Sequence, residues 1–170
     1  MSSKSFRRYF LRDKESKSFV RDFTVKFKVS LKEILKIGSI RVEVVETDRD
    51  LRIFVISGKP LLVKKGEDIF PSLMFSALLS RIPRVVVDMG AVPHVCDGAD
   101  VMVPGIVRVE GDFEADDIVV IVDERHGKPL AVGKALGSSE EIRNVNRGKA
   151  VKNLHFIGDK TWKYIKSLLK

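Results

Sequence analysis

The sequence has one cysteine, no glutamine and no long apolar run. With Cys96 alone, no disulfide can form within the chain, which favours a reducing, intracellular setting. No apolar run approaches the roughly 18 residues that span a bilayer, so no membrane partner is expected. The first eleven residues are polar and basic without an apolar stretch, so we expect no secretory signal. Abundant Lys, Arg and Glu without Gln is typical of thermophile proteins.

Motifs that hold metals, cofactors or catalytic groups are also missing. His94, His126 and His155 are widely spaced, and none has metal-ligand spacing with Cys96, so no metal site is expected. The sequence has no glycine-rich nucleotide-binding motif and no G-x-S-x-G motif, in which serine is the nucleophile. We therefore predict neither a cofactor nor a catalytic residue. The carboxylates of residues 88–117 lie beside glycines, which is typical of turns and caps. A general acid and base among them remains the alternative.

The charge is unevenly distributed, although the whole chain carries +8. Residues 1–83 have 18 Lys and Arg against 10 Asp and Glu, whereas residues 84–170 have 13 of each. Within that second half, residues 84–124 carry −8 and residues 125–170 carry +8. A basic excess favours an anionic partner such as nucleic acid or anionic lipid. Charge alone leaves a basic protein without such a partner equally open.

Apolar periodicity and turn residues predict an N-terminal α/β domain over residues 1–83, which Pro83 closes. The predicted elements are a strand near 9–11, a helix over 13–23, a short helix that Ser30 caps and Gly38 ends, strands over 40–45, 51–56 and 61–64, and a helix from Pro71 to about Leu79.

Residues 84–170 combine short strands, glycine-rich turns and short helices, a pattern typical of a small mixed β-barrel. Gly98 suits the left-handed cap of a first short helix. Ser138 and Glu141 form a capping box for a second helix, expected to run to about Asn146. The predicted strands are 85–87, 101–103, 106–109, 118–122, 130–136, 150–151 and 154–157, followed by a helix over 162–169.

Several segments of the second half follow one another in a recognisable order. They are Val87–Ala91, Gly98–Ile106, Asp117–Val119, Ala131–Gly133 and Gly148–Val151 with His155. Over about 80 residues they resemble the PUA domain, the RNA-binding module named for pseudouridine synthases and archaeosine transglycosylases. The resemblance implies a PUA pseudo-β-barrel with short helices over residues 84–170.

The remaining motifs are Leu61–Lys64, Phe70–Leu73, and Asp159 with Trp162. With the PUA stretch they resemble the malignant T-cell-amplified protein family and the N-terminal half of ligatin. These proteins pair a pre-PUA domain with a PUA domain. The expected fold class is therefore α+β, with an α/β pre-PUA domain over 1–83 before the PUA domain, in what we expect to be an archaeal member.

This resemblance implies a non-catalytic RNA-binding protein that acts in translation in the cytoplasm. Members of the family work at the small ribosomal subunit, near the tRNA acceptor end, with a partner that carries an initiation-factor-like domain. The implied partners are rRNA or tRNA, and any such protein partner would be a separate chain. Two alternatives remain: an accessory or substrate-delivery subunit of a pseudouridine- or archaeosine-type RNA-modification enzyme, and a module whose basic N-terminal domain docks a protein.

The resemblance also predicts where RNA would lie. PUA domains bind RNA along their first helix and the next strand, where a glycine allows close backbone approach. Gly98 could equally serve only as a helix cap, and a carboxylate at Asp100 departs from what a phosphate-binding strand would have. The matching residues are Gly98, Ala99, Asp100, Val101, Met102, Pro104 and Gly105, with Lys134, Arg147, Lys149, Lys152 and Lys160 expected to supply phosphate contacts.

Overall fold

The computed structural model of the chain describes residues 7–47 and 50–169. Most of the polar, basic N-terminus lies outside the described residues. The chain divides into two compact units, of which unit one ends at Leu78 and unit two begins at Leu79. Within the described ranges, no helix is both long and apolar enough to cross a membrane.

Unit one contains a five-stranded antiparallel sheet in the order β1-β2-β3-β4-β5, together with two helices. The predicted strands and both early helices are found, and one strand has the predicted bounds 51–56. The elements are β1 (Arg7–Phe10), α1 (Asp13–Phe27), α2 (Leu31–Leu35), β2 (Val42–Glu46), β3 (Leu51–Ile56), β4 (Lys59–Lys65) and β5 (Asp68–Pro71), followed by α3 (Ser76–Leu79).

Helix α1 lies against the sheet through aromatic side chains. Phe23 is buried, and the ring centroid of Phe19 is 4.7 Å from that of Phe54 on β3. The Phe23 ring also stacks on Phe75, with centroids 6.4 Å apart. The helix predicted over residues 13–23 is therefore confirmed, although it continues four residues beyond the predicted end, to Phe27.

The helix predicted over residues 71–79 is wrong in its first half. Pro71 instead ends β5, where it pairs with Leu62 on β4. The buried Ser72 then turns the chain, because its hydroxyl donates to the carbonyl oxygen of Pro60 over 2.7 Å. Only α3 remains of the predicted helix, since pairing between β4 and β5 overrides the local preference.

Helix α2 ends before Gly38, the predicted stop. Ser30 caps the helix as predicted, since its side chain accepts from the Glu33 N–H. Lys36 adopts the left-handed conformation with φ of 56°, and its N–H donates to the Glu33 carbonyl oxygen. A left-handed residue that carries a side chain costs only about 1–2 kcal/mol, so the helix can end without glycine.

Unit two contains a six-stranded sheet in the order β7-β11-β10-β9-β6-β8. The first strand of this unit, β6, is parallel to β9 and antiparallel to β8. The predicted α+β class, with a mixed barrel-like second half, is confirmed. The elements are β6 (Arg84–Val87), α4 (Val92–Val95), β7 (Val101–Met102), β8 (Ile106–Glu110), β9 (Ile118–Asp123), β10 (Pro129–Ala135), α5 (Ser139–Arg143), β11 (Lys149–Phe156) and α6 (Lys160–Leu168), with a 3-10 turn at Val103–Gly105.

In unit two, the predicted start of helix α5 is confirmed and its predicted end is wrong. The capping box is confirmed, because Ser138 Oγ accepts from the Glu141 N–H over 3.1 Å and the Glu141 carboxylate accepts from the Ser138 N–H over 3.2 Å. Helix α5, however, ends at Arg143 rather than near residue 146. The two strands predicted over 150–151 and 154–157 are one strand, β11, because pairing with β10 continues across Asn153.

Gly133 on β10 marks the closest approach between β10 and β11. A Cβ added there would lie 2.7 Å from the Lys152 carbonyl oxygen and would also overlap Val151 Cγ1. The register of the two strands shifts at the same place, between Val132 and Gly133. Because one neighbour is backbone, a side chain at this position requires β11 to move.

Gly133→Ala should therefore lower the free energy of unfolding by about 1–3 kcal/mol, the usual cost of overpacking a core. Urea denaturation of the full chain measures this. Gly38→Ala is the matched control, since nothing lies within 4 Å of its added Cβ. The control should be neutral or stabilising by up to about 1 kcal/mol. Equal stability of the two variants would contradict the packing argument.

Candidate nucleic-acid interface

The predicted contact segment, residues 98–102, runs antiparallel beside β11. Val101 pairs with Val151 and Met102 pairs with Lys149. The Val103 N–H then donates to the Gly148 carbonyl oxygen over 2.9 Å. In the described part of the chain, β7 pairs with β11 alone and is the edge strand of the sheet. Its other edge therefore pairs with no described strand.

Gly98 lies between α4 and this strand and fills two structural needs. It has a left-handed φ of 95°, and its N–H donates to the Val95 carbonyl oxygen over 3.0 Å. A Cβ added to Gly98 would lie 3.0 Å from Cε1 of Phe156. The helix cap predicted here is confirmed, so any contact with RNA would come in addition to it.

Hydrogen bonds from Asn153 on β11 hold the predicted contact segment against the sheet. Its backbone N–H donates to Asp100 Oδ1 over 2.9 Å, and its Nδ2 donates to the carbonyl oxygens of Val95 and Ala99, both over 3.0 Å. Sequence reasoning missed this residue. The signal was present, because asparagine is disfavoured inside a strand and this one interrupts an otherwise apolar and basic run.

The carboxylate of Asp100 also bonds to β11. Besides accepting from Asn153, it places Oδ2 3.5 Å from Lys149 Nζ, and the Lys149 side chain remains 63% exposed. Asp100 thus has a structural role and offsets part of the charge of a predicted phosphate contact. This explains how a carboxylate can stand at the start of a strand proposed to face phosphate.

The other members of the segment differ in what they expose. Val101 is buried, so it can offer only its backbone, whereas Met102 is 45% exposed and Ala99 and Pro104 are also exposed. Gly105 approaches Ala91, whose Cβ would lie 3.1 Å from an added Cβ. The exposed surface of the segment is therefore small and partly apolar.

Two of the five predicted basic residues, Lys149 and Lys152, lie on β11. Lys152 and Lys134 are direct cross-strand partners on β11 and β10. Like charges placed opposite each other destabilise a sheet, and an anion between them would relieve the repulsion. Arg147 is exposed and lies just before β11, while the exposed Lys160 begins α6 beyond the other end of β11.

A buried hydrogen bond between His155 and Asp159 fixes the junction between β11 and α6. Nδ1 of the fully buried His155 lies 2.9 Å from Asp159 Oδ2, and the Asp159 carboxylate also accepts from the N–H groups of Phe156 and Trp162. Burial alone would raise the pKa of Asp159, but the bonds to His155 and to the two N–H groups outweigh it, so its pKa lies below the ordinary value. The junction therefore holds the Phe156 ring against which Gly98 lies.

In residues 7–47 and 50–169, no three His, Cys, Asp or Glu side chains come together in a way that could hold a metal ion. Burial raises the pKa of the Cys96 thiol, which therefore stays protonated near neutral pH.

Two protein-family models match the chain. Residues 83–157 match the PUA domain, and residues 7–78 match a domain of unknown function, DUF1947. The chain is 37% identical over 161 residues to an uncharacterised protein from Methanocaldococcus jannaschii, covering 93% of this chain and 96% of that one. It is 30% identical to translation machinery-associated protein 20 from Saccharomyces cerevisiae, covering 73% and 72% of the two chains. With malignant T-cell-amplified sequence 1 from Rattus norvegicus it shares 31% identity, covering 71% and 69%.

Solved structures match over the full length. A hypothetical protein from Pyrococcus horikoshii aligns with a TM-score of 0.79 and 35% identity, covering 94% of this chain and 99% of that one. A PUA-domain protein from Aeropyrum pernix, solved with tartrate, aligns with a TM-score of 0.80 and 26% identity, covering 98% and 94%. The similarity includes both units, so it is not limited to the second one.

Asn153→Ala removes the donors that hold the carbonyl groups of Val95 and Ala99. The free energy of unfolding should fall by about 1–3 kcal/mol, because two carbonyl groups lose their partners. Amide exchange over residues 99–102 should also become faster, as hydrogen-exchange mass spectrometry can show. Asn146→Ala, an exposed control in the loop before β11, should change stability by less than about 0.5 kcal/mol. If the two variants behave alike, Asn153 does not hold the segment.

Proposed function

Because the chain belongs to the family of PUA-domain proteins that includes translation machinery-associated protein 20 and malignant T-cell-amplified sequence 1, we propose that it is a non-catalytic, translation-associated RNA-binding protein. Its unit two contacts rRNA or the tRNA acceptor end. The observation that carries the proposal is the edge strand β7, which pairs with β11 on one side only and lies beside the cations of β11.

The contacts would divide into two kinds. Arg147, Lys149 and Lys152 supply charge along β11, and phosphate contacts of this kind provide most of the affinity for nucleic acid. The exposed parts of residues 98–105 supply shape, backbone groups and the apolar side chain of Met102. RNA recognition of this type depends on shape and on a few base contacts.

The carboxylates near the segment support the non-catalytic part of the proposal. Asp88 accepts from the Ala91 N–H over 2.8 Å, and Asp117 accepts from the Glu114 N–H over 2.9 Å. Both are bonds that hold turns. A general acid or base would instead need a carboxylate aimed into an enclosed site, within reach of a reacting group.

The family resemblance also supports the proposed partners. A protein of this kind would work in the cytoplasm on the small ribosomal subunit, with a separate protein that carries an initiation-factor-like domain. The name of the yeast relative, translation machinery-associated protein 20, supports a role in translation.

The proposal predicts salt-dependent binding of a tRNA transcript to the full chain. Lys152→Glu should weaken binding roughly tenfold near 0.1 M salt and reduce the slope of log K against log salt by about 1, because one phosphate contact is lost. Fluorescence anisotropy across a salt series measures both quantities.

Arg125→Glu is the control, because it makes the same charge change in the turn between β9 and β10, at a residue that is not a predicted contact. It should leave binding within about twofold. No salt-dependent binding of tRNA or small-subunit rRNA by the unchanged chain at low ionic strength would refute the proposal.

A further inference from the structure

A row of charged side chains crosses four strands of unit one. The strand registers pair Arg7 with Glu46, Glu46 with Arg52, and Arg52 with Lys64. Directly paired residues on neighbouring strands share one face of a sheet. These four residues, named here the cross-strand row, therefore lie side by side over about 14 Å, given a strand spacing of about 4.8 Å.

Helix α1 packs on the same face of the sheet. The chain enters α1 from the opposite end, where the Leu11 N–H donates to the Val42 carbonyl oxygen over 2.9 Å. Farther along α1, Phe19 lies on Phe54, which is two residues from the row on β3. Arg52, in contrast, has an exposed side chain. The row thus lies on the face that α1 contacts, and its central arginine remains exposed there.

Glu46 fixes the position of the central cation. Its Oε1 accepts from the Tyr9 hydroxyl over 2.8 Å and lies 3.1 Å from Arg52 Nε. Burial and the bond to Glu46 raise the pKa of Tyr9, so its hydroxyl stays protonated and donates. The Arg7 guanidinium stands 5.3 Å from the Tyr9 ring centroid. The Arg52 side chain is held in place while remaining 48% exposed.

The row has an excess of positive charge that the described residues do not neutralise. It contains three cations and one carboxylate, and Glu46 is already engaged by Tyr9 and Arg52. Arg52 and Lys64 are direct cross-strand partners, an arrangement that destabilises a sheet. No acidic side chain pairs with Lys64 across residues 7–47 and 50–169. A bound anion would remove this repulsion.

We infer that Arg7, Arg52 and Lys64 bind the phosphate backbone of RNA, so that unit one has a phosphate-contacting surface of its own. This inference rests on the proposed function. A line of separate cations matches a chain of phosphates, and the planar guanidinium groups of Arg7 and Arg52 suit phosphate oxygens. A membrane surface would also require apolar side chains to insert among the cations, and all members of the row are charged.

The test uses the full chain and a tRNA transcript. Arg52→Gln combined with Lys64→Gln should weaken binding about tenfold or more near 0.1 M salt. It should also reduce the slope of log K against log salt by about 1.4–1.8, since each phosphate contact contributes about 0.7–0.9. Lys17→Gln combined with Lys32→Gln removes the same charge from exposed positions of α1 and α2 and should reduce the slope by less than about 0.5.

Three other outcomes would overturn the inference. Equal losses in the two double variants would show attraction by net charge alone and would overturn the inference. Unchanged binding in the row variant, with Lys152→Glu still defective, would overturn it and leave the proposed function standing. Loss of binding to anionic phospholipid vesicles with tRNA binding retained would assign the row to lipid instead. If thermal melting shows that the double variant is unfolded, Arg7→Gln provides the same test. Because it removes one cation instead of two, it should reduce the slope of log K against log salt by half as much.

Discussion

The hydrogen bonds of Asn153 are the constraint on which the candidate interface depends. The side-chain amide of Asn153 donates to the carbonyl oxygens of Val95, at the end of α4, and of Ala99, just before β7. The backbone N–H of Asn153 donates to the carboxylate of Asp100. The edge strand can stay unpaired on its outer side because its inner side is fixed in this way. The buried pair of His155 and Asp159 secures the C-terminal end of β11, the strand that carries Asn153.

Each unit has two cations placed directly opposite each other on neighbouring strands. Lys134 faces Lys152 in unit two, and Arg52 faces Lys64 in unit one. Like charges placed opposite each other are unfavourable in a sheet, so a phosphate bound beside Arg52 and Lys64 would recover stability as well as add affinity. Both units thus show the same arrangement, although they differ in fold and in net charge.

Local sequence patterns predicted the features whose causes are local. Ser138 with Glu141, the Ser30 cap and the left-handed Gly98 were found as expected, because each depends on neighbours within a few residues. The helix expected from Pro71 failed because pairing of β5 with β4 is not local. Asn153 was missed for the same reason, since its partners are 54 and 58 residues away. The cross-strand row likewise exists only through strand register.

Ultraviolet crosslinking of the full chain to RNA in a cell extract tests the central claim most directly. Sequencing identifies the attached RNA, and mass spectrometry identifies the attached peptides. The account predicts tRNA or small-subunit rRNA joined to peptides that contain residues 98–105 or 147–152. An absence of RNA, or crosslinks confined to peptides of β8 and β9, would contradict it.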